Sequence, residues 1–219
     1  MDPVHLTTDR LLLRPLRDAD IEAVLAAGSD PATQHNTTIP VPYTREHARS
    51  FVQDYAPGAW RDEKEFVFGV ALKPTDELVA CVSVHARNFR DDGVAEIGYW
   101  AVPAQRGHGY TAEAVGEICR WAFAELGVVR MEWQAVEGNW PSRRVAEKAG
   151  FAFEGTLRSK LVHRGRRFDG WIGARLAPGA EATVTAASSD PATAGSPGAL
   201  GAPGESTDLP PDAGPAPRA

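Results

Sequence analysis

The apolar residues of the chain recur with two different periods. Short apolar runs rich in β-branched and aromatic residues, bounded by Gly, Pro or polar clusters, are typical of strands. They predict strands at residues 11–15, 65–72, 78–85, 94–102, 129–136, 151–162 and 167–176. Between residues 111 and 126 the apolar positions recur every three or four residues, which predicts a long helix with one face in a core.

Shorter helices are predicted where a capping residue comes before apolar positions. Asp18 is the expected cap of one helix and Thr44 the expected start of another. A third runs to Lys148 and is stopped by Gly150. Residues 28–43 contain three prolines and several polar clusters, so we expect a loop or a short turn of helix there.

The order of these elements predicts a single α/β domain with one mixed sheet and helices on both faces. The strands at 65–72 and 78–85 are separated by a short turn, so we expect an antiparallel hairpin. The strands at 94–102 and 129–136 are joined by the long helix, and such a crossover makes the two strands parallel. We expect this domain to span residues 5–176.

The composition changes after residue 176. Residues 177–219 contain 8 Pro, 6 Gly and no aromatic residue, with five acidic side chains against one arginine. Such a segment buries too little apolar surface to offset a backbone entropy cost of about 1 to 2 kcal/mol per residue. We therefore expect a disordered C-terminal tail, which carries most of the net charge of −6.

The rest of the chain has nearly balanced charge, which gives no general case for a nucleic-acid partner, since such proteins have a basic face. No apolar run approaches the roughly 18 residues of a membrane span, and the first ten residues lack a secretory pattern, so we expect no membrane partner. Cys81 and Cys119 have no metal-ligand spacing and fit buried thiols of a cytoplasmic protein without a metal site.

One stretch combines a strand end, two glycines and a helix start. Pro103 ends a strand, and the loop Gln105-Arg106-Gly107-His108-Gly109-Tyr110-Thr111 leads into the long helix. Glycines let the backbone turn tightly and approach a ligand, and the first N–H groups of a helix carry a partial positive charge. The loop therefore predicts an anion site suited to a phosphate or pyrophosphate.

Two other interpretations of this loop stay open. The glycines can serve the geometry of a strand-to-helix turn alone. The residues from Gly107 to Ala112 also fit the dinucleotide pattern Gly-x-Gly-x-x-Ala, which needs its first glycine at the strand end and an acid about 20 positions later. Here Pro103 to Arg106 intervene and Glu132 lies 25 positions after Gly107, which argues against a nicotinamide site.

Three motifs in order resemble the GNAT N-acetyltransferases, in particular the RimJ/RimL branch that modifies N-terminal amines of ribosomal proteins. The loop Arg106-Gly-His-Gly109-Tyr-Thr111 is similar to the family's coenzyme A pattern Arg/Gln-x-x-Gly-x-Gly/Ala, with threonine in place of the last small residue, and Glu113-Ala114 follows it. Before it stands Glu96-Ile-Gly-Tyr-Trp100; after it come Asn139-x-x-Ser142 and Glu147-Lys148-Ala-Gly150-Phe151. The resemblance covers about residues 5–176.

The resemblance implies transfer of an acetyl group from acetyl-CoA to a primary amine, in a cleft where the two parallel strands splay apart. It implies that the coenzyme A pyrophosphate is bound by the amides of Arg106, Gly107, His108, Gly109, Tyr110 and Thr111. The backbone at Ala101 and Val102, expected to be unpaired where the strands diverge, would bind the pantetheine as an added strand does. Asn139 would also contact the pantetheine, and its alternative role is that of a helix N-cap.

Two residues are expected to move protons. An aliphatic amine is mostly protonated at neutral pH, so a base is needed, and Glu96 on the strand approaching the splay is the candidate. Its alternative is a solvated strand carboxylate. The leaving thiolate needs a proton, and many GNAT enzymes have a tyrosine at the position that is Ala146 here. The resemblance therefore assigns the donor role to Ser142, whose alternative is an ordinary first-turn serine.

The sequence leaves the acceptor open between a protein N-terminus and a small amine such as an antibiotic or a polyamine, because a fold does not determine a substrate. A catalytically silent acyl-CoA-binding module is a further alternative, and monomer and homodimer both stay open. Four residues are candidates for acceptor selection: His35, Asn36, Tyr43 and Trp60. A basic run on the last hairpin fits an acidic partner, a nucleotide phosphate or a solvated surface: Arg158, Lys160, His163, Arg164, Arg166 and Arg167.

Overall fold

A computed structural model of the protein describes residues 1–86 and 89–180. Its strands are β1 (Leu6–Thr7), β2 (Leu11–Arg14), β3 (Glu65–Leu72), β4 (Leu78–His85), β5 (Val94–Ala101), β6 (Arg130–Val136), β7 (Ala152–His163) and β8 (Arg166–Leu176). Within these residues the eight strands form one sheet in the order β1-β2-β3-β4-β5-β6-β8-β7. β5 and β6 are parallel and the other neighbours are antiparallel, so the predicted mixed sheet and its parallel pair are confirmed.

The described helices cover both faces of this sheet. They are α1 (Ile21–Ser29), α2 (Pro31–Asn36), α3 (Arg45–Ser50), α4 (Ala56–Arg61), α5 (Phe89–Asp92), α6 (Tyr110–Glu125) and α7 (Trp140–Lys148). A π-helical turn at Phe51–Tyr55 joins α3 to α4, and 3₁₀ turns lie at Asp18–Asp20 and Pro103–Gln105.

β3 shows how the two faces are covered. Seven of its eight residues are buried. Phe66 and Phe68 pack in a core with α6 and α7, whereas Val67 packs in a second core with α1 and α3, because side chains alternate along a strand. A strand buried on both faces is a continuous apolar run rather than an alternating one, which explains why its bounds could be predicted.

Trp60 lies in the centre of the larger core. Its ring packs edge to face on Phe66 and Phe68, at centroid distances of 4.9 and 5.1 Å, and lies 5.9 Å from Trp121. Its indole N–H donates to the carbonyl of Val67 (2.8 Å), and the residue is 2% exposed. The hypothesis that Trp60 selects the acceptor is therefore wrong, because this side chain is enclosed by protein.

A buried arginine ties β2 to two turns. Arg14 is 3% exposed, and its guanidinium lies 2.7 Å from Oδ2 of Asp20 and 2.9 Å from Oδ1 of Asp76. Burial alone would lower the pKa of Arg14, but the two carboxylates raise it above its usual value. Removing either carboxylate would leave a buried positive charge with less compensation.

Most predicted boundaries agree with the structure within about two residues, and the exceptions are short or capped elements. β1 is too short to show a period. The prediction that Asp18 is a cap is wrong, because Asp18 lies inside the 3₁₀ turn before α1, whose N-cap is Arg17, and its carboxylate accepts from Nε2 of Gln53 (2.9 Å). Thr44 does start α3, with its hydroxyl accepting from the N–H of His47 (3.3 Å).

Of the predicted tail, residues 177–180 are described and residues 181–219 lie outside the described part of the chain. β8 ends at Leu176, and the N–H of Ala177 still donates to the carbonyl of Val129 (2.9 Å). The backbone is therefore bonded to the sheet for one residue past the expected boundary.

β5 and β6 pair along only part of their length. The paired residues are Val94–Ile97 on β5 and Arg130–Trp133 on β6. Beyond these, β5 stays bonded to β4 and β6 to β8, so the two strands diverge. The splay that the resemblance implied is therefore present, and it opens towards the first turn of α7.

We predict that Trp60→Phe destabilises the fold by about 1 to 3 kcal/mol, because it leaves the buried carbonyl of Val67 without its indole donor. Trp140→Phe is the matched control, since Trp140 is 52% exposed, and we expect a change within about 0.5 kcal/mol. Urea unfolding followed by circular dichroism measures both free energies. Equal changes for the two variants would contradict the importance of the Trp60 bond.

Candidate functional site

The gap between β5 and β6 opens into a cavity of about 550 Å³. Its walls are the diverging ends of the two strands, the loop before α6, one side of α7, and α2. A cavity of this size can enclose the reactive part of a ligand. Of the predicted site residues, the structure brings eight together in these walls: Ala101, Arg106, Gly107, Gly109, Tyr110, Thr111, Asn139 and Ser142. Glu96, Val102 and His108 lie outside the walls.

Gly107 and Gly109 determine the path of the loop. Their φ angles are +87° and +79°, a region that glycine adopts at little cost. A Cβ placed on Gly107 would meet no protein atom within 4 Å, so the space beside this backbone is open. Gly109 is the N-cap of α6 and has no side chain to bond its first N–H groups, which leaves them available to an anion.

The side chain of Arg106 holds the loop against α2. Its Nη2 lies 2.6 Å from Oδ2 of Asp30 and 3.2 Å from the hydroxyl of Thr33. Hydrogen bonds from Arg106 hold the pKa of Asp30 below its usual value. Asp30 also caps α2 by accepting from the N–H of Thr33 (2.9 Å). The guanidinium therefore has a structural task, and the N–H of Arg106 donates to the carbonyl of Pro103 (3.4 Å). The predicted phosphate contact thus falls to the N–H groups that follow, from Gly107 onward.

Arg10 supports the other side of the loop, a role that sequence analysis missed. Its Nε donates to Oε2 of Glu113 (2.7 Å) and its Nη1 to the carbonyl of His108 (3.3 Å). The guanidinium lies 4.7 Å from the ring centroid of Tyr110, which stacks on the ring of His108 at 5.3 Å. His108 itself is exposed and does not line the cavity. No local pattern connects Arg10 to a partner so far along the chain.

The backbone that faces the gap belongs to Tyr99 and Ala101. The N–H of Val102 donates to the carbonyl of Val79 on β4, and its own carbonyl accepts from the N–H of Gln105, both at 2.9 Å. Backbone groups of successive strand residues point in opposite directions, so those of Tyr99 and Ala101 point away from β4 and into the gap. The expectation of an unpaired backbone is wrong for Val102, and Tyr99 takes its place beside Ala101.

Ser142 connects the two diverging strands to α7. Its hydroxyl accepts from the indole N–H of Trp133 on β6 (3.0 Å) and donates to the hydroxyl of Tyr99 on β5 (3.2 Å). Tyr99 in turn donates to the carbonyl of Ser142 (2.8 Å). Asn139 caps the helix, with its Oδ1 accepting from the N–H of Ser142 (3.3 Å). Ser142 and Asn139 therefore have structural roles as well as a place in the cavity wall.

A tyrosine hydroxyl lies beside Ser142 although α7 itself has none there. Ala146 is 1% exposed and packs in the core. Tyr99 supplies the hydroxyl from β5 instead, and burial raises its pKa above the usual value, so the phenol stays protonated at neutral pH. The sequence carried this signal within Glu96-Ile-Gly-Tyr-Trp100, but sequence analysis assigned the tyrosine no role.

Glu96 lies on the other face of β5. Ile97 packs in the core with α6, whereas Trp100, on the same side of the strand as Glu96, packs against the second core. Oε2 of Glu96 accepts from Nε2 of Gln134 (3.2 Å), and Gln134 lines the cavity. Glu96 is therefore adjacent to the cavity, on the face that carries α1 and α3.

The candidates for acceptor selection lie in different surroundings. Asn36 lines the cavity, and its side chain donates to the carbonyl of Ala32 (2.8 Å). His35 is exposed outside the cavity. The ring of Tyr43 packs against Gly28 and the second core. Of these three, only Asn36 is placed to contact a ligand in the cavity.

The basic run on the β7–β8 hairpin has structural partners. Arg164 donates to the carbonyls of Gln34 (2.8 Å) and Ile39 (3.0 Å), which belong to α2 and the segment after it. Arg167 donates to the carbonyl of Ser159 across the hairpin (3.0 Å). The hairpin thus contacts the wall that α2 contributes to the cavity.

The cavity wall has positive charge. Among the described residues that line it are Arg106, Arg144 and Lys148, and none is Asp or Glu. Arg144 and Lys148 are exposed on one side of α7. They are four residues apart, which places them on the same face of a helix, and sequence analysis did not use this signal. A helix N-terminus, an unpaired strand edge and these cations fit the phosphates and amides of coenzyme A.

The two cysteines are buried free thiols, as predicted. Burial raises the pKa of Cys119 to about 12 and raises that of Cys81 as well, so neither is a reactive thiolate. Across residues 1–86 and 89–180, no three His, Cys, Asp or Glu side chains are grouped to hold a metal ion. In the same ranges, no helix combines the length and apolar character needed to span a bilayer.

Comparison with known proteins agrees with this geometry. A family model described as the acetyltransferase (GNAT) domain matches residues 10–152. The uncharacterised N-acetyltransferase YoaA of Bacillus subtilis is 29% identical over 164 residues, which are 75% of this chain and 92% of YoaA. The crystal structure of a GNAT-family acetyltransferase from Bacillus anthracis has a TM-score of 0.70 at 29% identity and covers 79% of this chain and 98% of that one.

A structure of RimL, a ribosomal L7/L12 α-N-protein acetyltransferase in complex with coenzyme A, has a TM-score of 0.69. It is 19% identical and covers 79% of this chain and 98% of its own, so it shows the shared fold. The family match contains the sheet from β2 to the start of β7, and with it the loop, the splay and α7. This chain therefore belongs to the GNAT family and is an acetyltransferase.

Proposed function

We propose that this chain transfers the acetyl group of acetyl-CoA to a primary amine, and that the amine is the N-terminus of a ribosomal or other protein. The proposal rests on the cleft, where an anion-binding loop, an unpaired strand edge and a serine hydroxyl meet in one cavity. The fold shared with RimL, a ribosomal-protein acetyltransferase, supports a protein N-terminus as the acceptor. We place the reaction in the cytoplasm, where thiols such as Cys81 and Cys119 stay reduced.

Acetyl-CoA supplies the thioester, an acyl group activated for attack by a neutral amine. The N–H groups from Gly107 to Thr111 would hold its pyrophosphate, and Arg144 and Lys148 would add positive charge. The backbone of Tyr99 and Ala101 would hold the pantetheine as a neighbouring strand does, with Asn139 at the other wall. Positioning of this kind can lower a barrier by up to about 7 to 11 kcal/mol.

We assign the acceptor to the face of the sheet that carries α1 and α3, because the loop before α6 and α7 itself occupy the other side of the gap. Glu96 lies on this face, and its carboxylate attracts the protonated form of an amine. The proton must leave before the nitrogen can attack. The role of Glu96 as the base stays a prediction.

We assign to Ser142 the transfer of a proton to the departing sulfur. Its O–H can turn from Tyr99 towards the cavity while the indole N–H of Trp133 continues to hold the oxygen. Tyr99 stays bonded to the carbonyl of Ser142, so the hydroxyl keeps its place. The N-terminal end of α7 adds a partial positive charge, which stabilises negative charge on the sulfur.

We expect the purified protein to release free thiol from acetyl-CoA when it is given peptides with a free N-terminus, and not when the same peptides are N-terminally blocked. Mass spectrometry of the product identifies the acetylated nitrogen. A polyamine and an amine-bearing antibiotic in the same assay test the small-amine alternative, which faster release from either would support. Binding of acetyl-CoA without release in the presence of any amine would overturn the proposal and favour a silent acyl-CoA-binding module.

We predict that Gly107→Ala weakens acetyl-CoA binding by about tenfold or more, roughly 1.4 kcal/mol, because its Cβ enters the space open to the phosphates. Gly165→Ala is the matched control, since Gly165 also has a positive φ, +74°, and open space around its Cβ. Isothermal calorimetry measures both dissociation constants. Equal weakening in the two variants would show that the loop is not part of the binding site. Calorimetric heat on titration with NADH, and none with acetyl-CoA, would support a dinucleotide site.

We predict that Ser142→Ala lowers turnover by about 100- to 10,000-fold, the usual contribution of a general acid, while the dissociation constant of acetyl-CoA changes by less than about threefold. Thiol release and calorimetry measure the two quantities. Tyr99→Phe is the control, because it removes the neighbouring hydroxyl and leaves Ser142 bonded to Trp133, and we expect a smaller loss. Unchanged turnover in Ser142→Ala would exclude Ser142 from the mechanism. Equal losses of turnover in Ser142→Ala and Tyr99→Phe would assign Ser142 a structural role alone.

A further inference from the structure

A row of ionisable side chains crosses the sheet where the cleft begins. In the strand register Glu65 on β3 lies opposite His85 on β4, His85 opposite Glu96 on β5, and Glu96 opposite Glu132 on β6. Residues directly opposite one another in a sheet have neighbouring side chains on the same face. Glu132 has its own cation, because its Oε1 lies 2.9 Å from Nε of Arg130. His85 therefore lies between two carboxylates, those of Glu65 and Glu96.

The imidazole of His85 leans from this row towards the cavity. Its Nε2 lies 3.4 Å from the hydroxyl of Ser83, one row nearer the splay. A Cβ placed on Gly98 would lie only 3.0 Å from the same Nε2. Gly98 lines the cavity and comes directly after the last β5 residue that pairs with β6. Nε2 of His85 is therefore at the edge of the cavity, on the face assigned to the acceptor.

Glu65 orients this ring. Its Oε2 lies 3.4 Å from Nδ1 of His85, and the carboxylate also accepts a hydrogen bond from the hydroxyl of Tyr55 (2.5 Å). Burial alone would raise the pKa of Glu65, whose side chain is 9% exposed, but His85 and then Tyr55 hold it below its usual value. The same bond raises the pKa of Tyr55 to about 12. An ionised carboxylate at Nδ1 favours a proton there and leaves the lone pair on Nε2.

We propose that His85, oriented by Glu65, takes the proton from the acceptor amine, and that Glu96 holds the amine in its protonated form beside it. This inference rests on the proposed acetyl transfer and names His85, rather than Glu96, as its base. The ammonium group first gives one proton to Nε2 of His85. The neutral nitrogen then forms a bond to the acetyl carbon as the carbon–sulfur bond breaks. The sulfur takes the proton of the Ser142 hydroxyl, the second proton of the nitrogen returns to the Ser142 oxygen, and His85 releases the first proton to solvent.

The surroundings of His85 suit this cycle. The ionisable groups that face it include Glu65 on β3, Glu96 on β5 and, through Glu65, Tyr55 from the π-helical turn. Carboxylates on both sides stabilise the imidazolium that forms when the proton is taken. The His85 side chain is 37% exposed, so the proton has a direct route to water. An imidazole is in general a stronger base than a carboxylate, so it takes a proton from an amine more readily.

The test is the pH dependence of thiol release in His85→Gln, with an N-terminal peptide as the acceptor. We expect turnover to fall about 100-fold near neutral pH, while the dissociation constant of acetyl-CoA is unchanged. The α-amine of a peptide has a pKa of about 7.7 to 8.0, so above that pH most acceptor is already neutral and needs no base. The ratio of wild-type to variant turnover should therefore shrink to less than about tenfold near pH 9.

Three further variants separate the roles. Glu65→Gln should give a smaller loss with the same dependence on pH, because it only disturbs the orientation of the ring. Glu96→Gln should raise the KM for the peptide and keep the wild-type pH profile of kcat. His5→Gln, which changes an exposed histidine near the N-terminus, should leave both parameters unchanged.

The inference and the proposed function fail in different ways. If wild-type protein releases no thiol with any amine, the acetyl transfer itself is wrong. If wild-type protein is active and His85→Gln equals it, or loses the same factor at every pH, His85 is not the base and the proposed function still stands.

Discussion

The cleft exists because the parallel pair of strands is held together along only four residues of each. β5 is also bonded to β4 and β6 to β8, so each strand stays in the sheet without the other beyond Ile97 and Trp133. The first turn of α7 lies between them. There the Ser142 hydroxyl accepts from the indole N–H of Trp133 and donates to the hydroxyl of Tyr99, which donates to the Ser142 carbonyl. The unpaired backbone and the hydroxyl groups of the cavity therefore result from one structural feature.

Charge is divided between the two faces of the sheet at this gap. The face with α6 and α7 presents a helix N-terminus, Arg144 and Lys148, whereas the opposite face presents the carboxylates of Glu65 and Glu96 around an imidazole. An anionic ligand and a cationic one are thus attracted to opposite sides and meet where the strands part. Charges in a partly buried site interact more strongly than they would in water, so this arrangement favours two ligands of opposite charge over two of the same charge.

Features with a local signal could be predicted from the sequence, and features that depend on strand pairing could not. β3 and β4 are continuous apolar runs, and the two glycines before α6 have positive φ angles that other residues rarely adopt. By contrast, the choice between Tyr99 and Val102 as the residue facing the gap depends on the register with β4. The position of His85 depends on the pairing of three strands. Trp60 was misassigned because the sequence alone does not show which core a helix residue enters.

The short helix α2 depends on both sides of the cleft for its position. Six residues are too few for a stable isolated helix in water. Its N-terminal end is held by Arg106 of the loop before α6, through Asp30 and Thr33, and its C-terminal part is held by Arg164 of the β7–β8 hairpin. The loop before α6 and the β7–β8 hairpin are therefore linked through α2, whose residues form part of the cavity wall.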